Sequence, residues 1–219
     1  PALRLVAPRT QQMMTVGADY QLDIDALRAA ITPKTRAIVT VSPNNPTGAV
    51  YAREDLIRVN ALCKRHGIYH ISDEAYEYFT YQDAEHFSPA SLENAVGHTI
   101  SLYSLSKAYG FASWRVGYVV FPEALLPDLL KIQDTNLICP PLINQIAAIG
   151  ALQAGVEYCR QQQLGLVETR QQVLTQLQSL TDICRIQPTL GAFYLLLQVD
   201  SQRHDLELAE YLIKQFKVA

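Results

Sequence analysis

The chain has 219 residues, 49% of them hydrophobic and 18% charged, which is the balance of a globular protein and excludes a disordered one. Eighteen basic against 21 acidic side chains leave a net charge of -3, so the surface is not built for phosphate backbones or anionic lipid. A small molecule is the expected partner, with no nucleic acid and no membrane.

Asp23 is placed to cap a short helix that carries Leu27 and Ile31 on one face, with Pro33 as its stop. Ala37-Ile-Val-Thr-Val41 is short, apolar and β-branched, and predicts a strand that ends in the turn-rich Ser42-Pro-Asn-Asn-Pro-Thr-Gly48. A helix is expected from about Arg53, with Leu56, Val59 and Cys63 on one face and Gly67 as its stop. Ile68-Tyr-His-Ile-Ser72 and Thr99-Ile-Ser-Leu-Tyr103 are again strand-like. This alternation predicts an α/β fold, a mostly parallel sheet covered by helices. Only eight residues lie between Lys107 and Val116, too few for a helical crossover, so Val116-Gly-Tyr-Val-Val-Phe121 should run antiparallel.

No residue between Asp134 and Glu157 is charged, but Pro140, Pro141, Asn144, Gln145 and Gln153 interrupt the stretch, which predicts a buried loop and helix instead of a membrane span. Beyond Gly155 the residues Leu164, Val167, Leu174, Leu177 and Leu180 mark a long helix with Gln and Arg on its outer face. Strand-like Ile183-Cys-Arg-Ile186 and Ala192-Phe-Tyr-Leu-Leu-Leu197 then precede a helix from about Asp205. The expected division is a large sheet domain over 1–155 and part of a small α+β domain over 156–219. Cys63, Cys139, Cys159 and Cys184 form no C-x-x-C pair and have no His at ligand spacing, which points to a reducing cytoplasm and away from a metal site or a disulfide framework. The chain starts at Pro1 without a basic, apolar leader and stops directly after an amphipathic segment, so it reads as a piece of a longer protein.

In open α/β sheets, ligands sit beyond the carboxyl ends of the strands. The first strand delivers Asn44 and Asn45 to that edge, the second Asp73 with Tyr76, the third Ser104, Ser106 and Lys107, and the antiparallel strand starts there with Arg115. One rim thus gathers an amide, a carboxylate, a phenol, hydroxyls, an amine and a guanidinium. Pyridoxal 5'-phosphate needs this set: an amine for its aldehyde, an acid for its ring nitrogen, donors for its phenolic oxygen, and cationic or hydroxyl donors for its phosphate.

The segments Ser42-Pro-Asn-Asn-Pro-Thr-Gly48, Ser72-Asp-Glu-Ala-Tyr76, Ser104-Leu-Ser-Lys-Ala-Tyr-Gly110 and Trp114-Arg-Val-Gly117 resemble, in order and spacing, the motifs of class I aminotransferases, enzymes of the fold type I pyridoxal-phosphate group. The resemblance covers essentially the whole chain. It implies that Lys107 holds the cofactor as a Schiff base, Asp73 pairs with the pyridine nitrogen, and Asn45 and Tyr76 bond the phenolic oxygen. It implies further that Ser104, Ser106 and Arg115 hold the phosphate, and that a homodimer moves an amino group from an amino acid to a 2-oxo acid. The family's upstream phosphate loop and ring-covering aromatic, and its downstream carboxylate-clamping arginine, are not visible, so this chain alone is expected to hold cofactor and turn over poorly.

Taken singly, each motif has a plainer reading. Asn44 to Gly48 would make an ordinary turn, Asp73 a helix cap, Tyr76 a packing residue, and Lys107 and Arg115 solvated charges. It is their joint order that points to one site. Glu74 faces away from Asp73 by strand alternation and reads as structural. The five histidines show no ligand spacing and are expected to pack or face solvent, and Trp114 and Tyr109 are expected to pack, with Tyr109 able to line the site. Two rivals remain at this point. One is another reaction on the same cofactor, carbon-sulfur lysis or ring closure like that of aminocyclopropane carboxylate synthase; the other is a non-catalytic aminotransferase-like regulatory module. The Asp-x-x-Tyr arrangement leans toward amino transfer.

Overall fold

The computed structural model describes residues 15–16 and 20–218. A small antiparallel pair, β1 (Thr15–Val16) and β2 (Gln21–Leu22), leads into helix α1 (Ile24–Ala30). Asp23 caps α1 as expected, its carboxylate accepting from the backbone N–H groups of Asp25 and Ala26. The helix stops at Ile31, ahead of Pro33.

Four strands form the central sheet: β3 (Ala37–Val41), β4 (Tyr69–Asp73), β5 (Thr99–Ser104) and β6 (Gly117–Val120), in that spatial order. The first three run parallel and β6 is antiparallel to β5, with Ser104 opposite Gly117. Helix α2 (Arg53–His66) makes the crossover from β3 to β4 and buries Leu56, Val59, Leu62 and Cys63. Gly67 ends it in the left-handed conformation at φ 63°, where its N–H reaches the carbonyls of Cys63 and Lys64. Val59, Leu62 and Cys63 pack with Ile38 and Ile68 into one apolar cluster, with Leu27 of α1 and Ile31 just past its end against it.

After the short helix α3 (Leu105–Ala108) and β6 come α4 (Leu126–Asn136) and the long α5 (Leu142–Gln178). Gly155, at φ 74° and ψ -175°, breaks α5 into two helical lengths. The antiparallel pair β7 (Cys184–Ile186) and β8 (Leu197–Val199) forms a separate sheet, followed by α6 (Asp205–Phe216). Among the described residues no helix is long and apolar enough to cross a membrane.

Two expectations need correction. The uncharged stretch after Asp134 is indeed loop and helix, but it is not buried: Ile138 is 72% and Leu142 71% exposed, and Ile143, Ile146, Ile149 and Leu152 are exposed too. Its apolar face simply has no partner within these residues. The segment from Ala192 is also not a strand until Leu197. Ala192 has φ 54°, and its N–H is taken by the carbonyl of Phe79, so the backbone is committed to a docking contact before it can pair along a sheet.

Candidate active site

The loop after β3 gives its two asparagines different jobs. Asn44 is buried and turned into its own loop: its amide donates to the Val41 carbonyl at 3.2 Å and to Tyr51 Oη at 3.2 Å, and its Oδ1 accepts from Thr47 Oγ1 at 2.8 Å. Asn45, next along and exposed, is free to reach outward, and its Nδ2 donates to Tyr76 Oη at 3.3 Å. The carboxyl edge of β3 thus contributes Asn45, with Asn44 as its brace.

At the end of β4, Asp73 accepts the Ala75 N–H on Oδ1 at 3.1 Å, which starts the turn that carries Tyr76 back over the strand ends. Tyr76 is buried, with edge-on contacts to Phe193 and Tyr194 at centroid distances of 5.5 Å each. Its hydroxyl lies 2.8 Å from Tyr194 Oη. Burial pushes the Tyr76 phenol up to about 12, so it stays protonated at neutral pH. Glu74 turns the other way, as strand alternation requires, and is fully buried against His86 Nε2 and Ser88 Oγ, each at 2.9 Å.

Beyond β5, Ser104 caps α3, its Oγ accepting the Ser106 N–H at 3.2 Å. The single turn of α3 carries Lys107, whose Nζ sits 5.9 Å from the centre of the Phe193 ring. Phe193 therefore bridges Lys107 and Tyr76. Among the described residues Lys107 forms no ion pair with a carboxylate. Arg115 ends a 3-10 turn at Ala112–Trp114 with φ 53°. The bond from Leu105 N–H to the Val116 carbonyl, 3.3 Å, holds it at the rim beside Ser104. Its guanidinium is exposed and donates to the Ala112 carbonyl at 2.8 Å, and no hydrogen bond among the described residues joins it to Ser104 or Ser106.

The residues expected at the rim are thus of two kinds. Asn45, Tyr76 and Lys107 are linked through direct contacts with one another or with Phe193, whereas Asp73, Ser104, Ser106 and Arg115 are held at the same edge by strand pairing and the local bonds beyond β5, without side-chain hydrogen bonds to that trio among the described residues. Tyr109 is buried and stacks on Tyr158 at 6.3 Å, and Trp114 stacks on Phe111 at 5.4 Å.

Sequence reasoning missed Phe193 and Tyr194. They come from the segment after Pro188-Thr-Leu-Gly191, which docks on the Asn45 loop. Thr189 Oγ1 donates to the Thr47 carbonyl at 2.6 Å and the Gly191 N–H to the Gly48 carbonyl at 2.8 Å. A Cβ on Gly191 would lie 2.6 Å from Val50 Cγ2 and 2.7 Å from Pro43 Cβ. The Pro188 to Gly191 turn signal marks a break ahead of Ala192, but the meeting of segments so far apart in the chain has no local signature.

These strand ends define an α/β protein that gathers an amine, an amide and a phenol at one edge of its sheet, and relatives with the same architecture are known. Residues 5–219 match the family described as aminotransferase class I and II. The chain is 32% identical over 207 residues to a probable aspartate/prephenate aminotransferase of Aquifex aeolicus, covering 91% of this chain and 52% of that one. It is 32% identical over 206 residues to aromatic-amino-acid aminotransferase 2 of Thermococcus litoralis, with the same coverage. The solved aromatic aminotransferase of Pyrococcus horikoshii superposes with a TM-score of 0.85 at 32% identity, over 92% of this chain and 54% of that one. The chain belongs to the class I and II aminotransferase family, and spans about half the length of the relatives it matches.

Proposed function

We propose that the full-length protein is a pyridoxal-phosphate-dependent aminotransferase that passes an amino group from an amino acid to a 2-oxo acid. The observation that carries this is the run of contacts from Asn45 to Tyr76 and, through Phe193, to Lys107, at the carboxyl ends of three adjacent strands. The donor set fits the cofactor. Among the described residues Asp73 spends only Oδ1 on the chain and Lys107 pairs with no carboxylate, while Tyr76 retains a phenol proton.

When bound, the cofactor supplies an electron sink for the carbon beside the substrate's amino group. Lys107 would hold it covalently and, once displaced by substrate, carry the proton between carbons as a base. The Asp73 carboxylate would favour the protonated ring nitrogen by its charge. Asn45 and Tyr76 would donate to the phenolic oxygen, while Ser104, Ser106 and Arg115 would serve the phosphate, the guanidinium exchanging its bond to the Ala112 carbonyl for one to the phosphate. The reading extends to a cytoplasmic homodimer, supported by the free state of all four cysteines and the exposed apolar face of α5. It also divides the chain at residue 155, supported by the break at Gly155.

The test is to reduce the cofactor-loaded full-length protein with borohydride and locate the modified lysine by mass spectrometry. A label on Lys107 is expected; a label elsewhere refutes the assignment. Aspartate and the aromatic amino acids, which name the relatives, are the first donors to assay. Formation of a 2-oxo acid with amino transfer is the expected outcome, and release of ammonia would instead mark an elimination.

A further inference from the structure

The Tyr76 hydroxyl has one proton to give and two lone pairs to fill. Asn45 Nδ2 can only donate, so at 3.3 Å it occupies one lone pair. Tyr194 Oη, 2.8 Å away, either takes the Tyr76 proton or fills the second lone pair. Among the described residues the Tyr194 hydroxyl bonds to no other side chain or backbone group. If it accepted from Tyr76, the proton left over would be its own, and Tyr76 would have none for a ligand. If it donates, both incoming donors end on Tyr76, and the one remaining proton of the set is turned out toward the rim that Lys107 shares.

We propose that Tyr194 is a positioning residue: it donates to Tyr76 Oη and so commits the Tyr76 proton to the cofactor's phenolic oxygen. This rests on the cofactor reading above and deepens it.

The contact is built into the fold. The Tyr194 segment is fixed to the Asn45 loop by the bonds from Thr189 to Thr47 and from Gly191 to Gly48, and to the segment behind Tyr76 by the bond from Ala192 N–H to the Phe79 carbonyl, 2.8 Å. A Cβ on Gly48 would lie 3.0 Å from the Tyr194 carbonyl oxygen, so only glycine allows the Tyr194 backbone so close. One docking event therefore sets both contacts to Tyr76, Asn45 from the loop after β3 and Tyr194 from the segment docked on it.

A good donor at the phenolic oxygen stabilises its negative charge, and that charge then holds the proton on the nitrogen joining Lys107 to the cofactor less tightly. Weakening the donor raises the pH midpoint of that nitrogen. In the cofactor-loaded full-length protein, Tyr194→Phe is expected to raise the midpoint of the visible absorption band by roughly 0.5 pH, less than Tyr76→Phe, through loss of cooperative polarisation along the hydrogen-bond chain. The double variant should shift no further than Tyr76→Phe alone. Phenylalanine keeps the ring contacts, and unchanged circular dichroism with a retained borohydride label on Lys107 checks that the fold and attachment persist. An unmoved or lowered midpoint in Tyr194→Phe overturns the proposal, a lowered one because it means Tyr194 was accepting the proton. If Lys107 takes no label, or Tyr76→Phe leaves the midpoint unchanged, the cofactor reading itself fails and this inference falls with it.

Discussion

His70 is fully buried between β3, α2 and β5 and has a partner on each ring nitrogen. Asn60 Nδ2 can only donate, so Nδ1 of His70 accepts at 3.1 Å, and the ring proton sits on Nε2, 2.9 Å from Thr40 Oγ1. Burial, and then the neighbouring His98, lower its pKa from 6.5 to about 4. Between those values the unfolded chain binds a proton that the folded one refuses, so stability falls as pH drops through this window. The loss should approach about 3 kcal/mol by pH 4, since a tenfold difference in proton affinity is worth about 1.36 kcal/mol. Urea unfolding at a series of pH values reads the loss, and the His70 ring resonances should stay unshifted from neutral pH down to about pH 5.5. A midpoint near 6.5 would contradict the buried, neutral state. Glu74 shifts in the same direction for a different reason: burial alone would raise its carboxyl, yet the hydrogen bond from His86 holds it below the ordinary range. Its contribution is present above the unfolded carboxylate pKa and is lost as pH falls through the lower folded value. Glu74→Ala strands His86 and should cost about 3 kcal/mol, seen as a lower urea midpoint at unchanged slope.

At the scale of elements, two glycines separate the cost of backbone shape from that of close approach. Gly67 ends α2 and Gly48 ends the Asn45 loop, both at positive φ. A Cβ on Gly67 meets nothing within 4 Å, whereas one on Gly48 would lie 2.8 Å from the Gly191 carbonyl oxygen and 3.0 Å from that of Tyr194. Gly67→Ala should therefore cost about 1 kcal/mol, and Gly48→Ala about 3 kcal/mol, the excess arising from overpacking. Equal losses in thermal or urea unfolding would mean the docked segment yields freely. The same contrast, between what is local and what is docked from afar, separates the features legible in the residues from those that are not. The α2 boundaries, β3 and the cap on α1 rest on periodicity, a cap and a turn glycine, all contained within a few residues. β4 and β6 differ from expectation only at their ends. The run from Ala192 fails as a strand because contacts to Gly48 and Phe79, far away in the chain, fix its backbone. The rim residues Asn45, Tyr76 and Lys107 are readable from turn motifs at strand ends, but Tyr194 is not, since its partner lies 118 residues away.

For the whole molecule, the decisive feature is apolar surface without a cover. Leu142, Ile146, Ile149 and Leu152 recur at three- and four-residue spacing along one face of α5, and all are exposed. Tyr118, Val119 and Val120 on the outer strand β6 are exposed as well, on a strand whose far edge has no hydrogen-bonded neighbour among the described residues. Periodicity alone argues that this helix face packs, and the absence of charge strengthens that inference, but neither says which segment does the packing. An exposed apolar helix face and an open strand edge each drive association, because burying the one releases bound water and pairing the other satisfies idle backbone groups. The 219-residue chain prepared by itself is therefore expected to bind a hydrophobic dye and to show a sedimentation coefficient that rises with concentration. Ile146→Lys with Ile149→Lys, which puts charge in the middle of the face, should lower both signals while leaving α2 and the sheet intact. A chain that stays monomeric and dark to the dye at high concentration would show that this face is tolerated in water, and that its residues are not an interface.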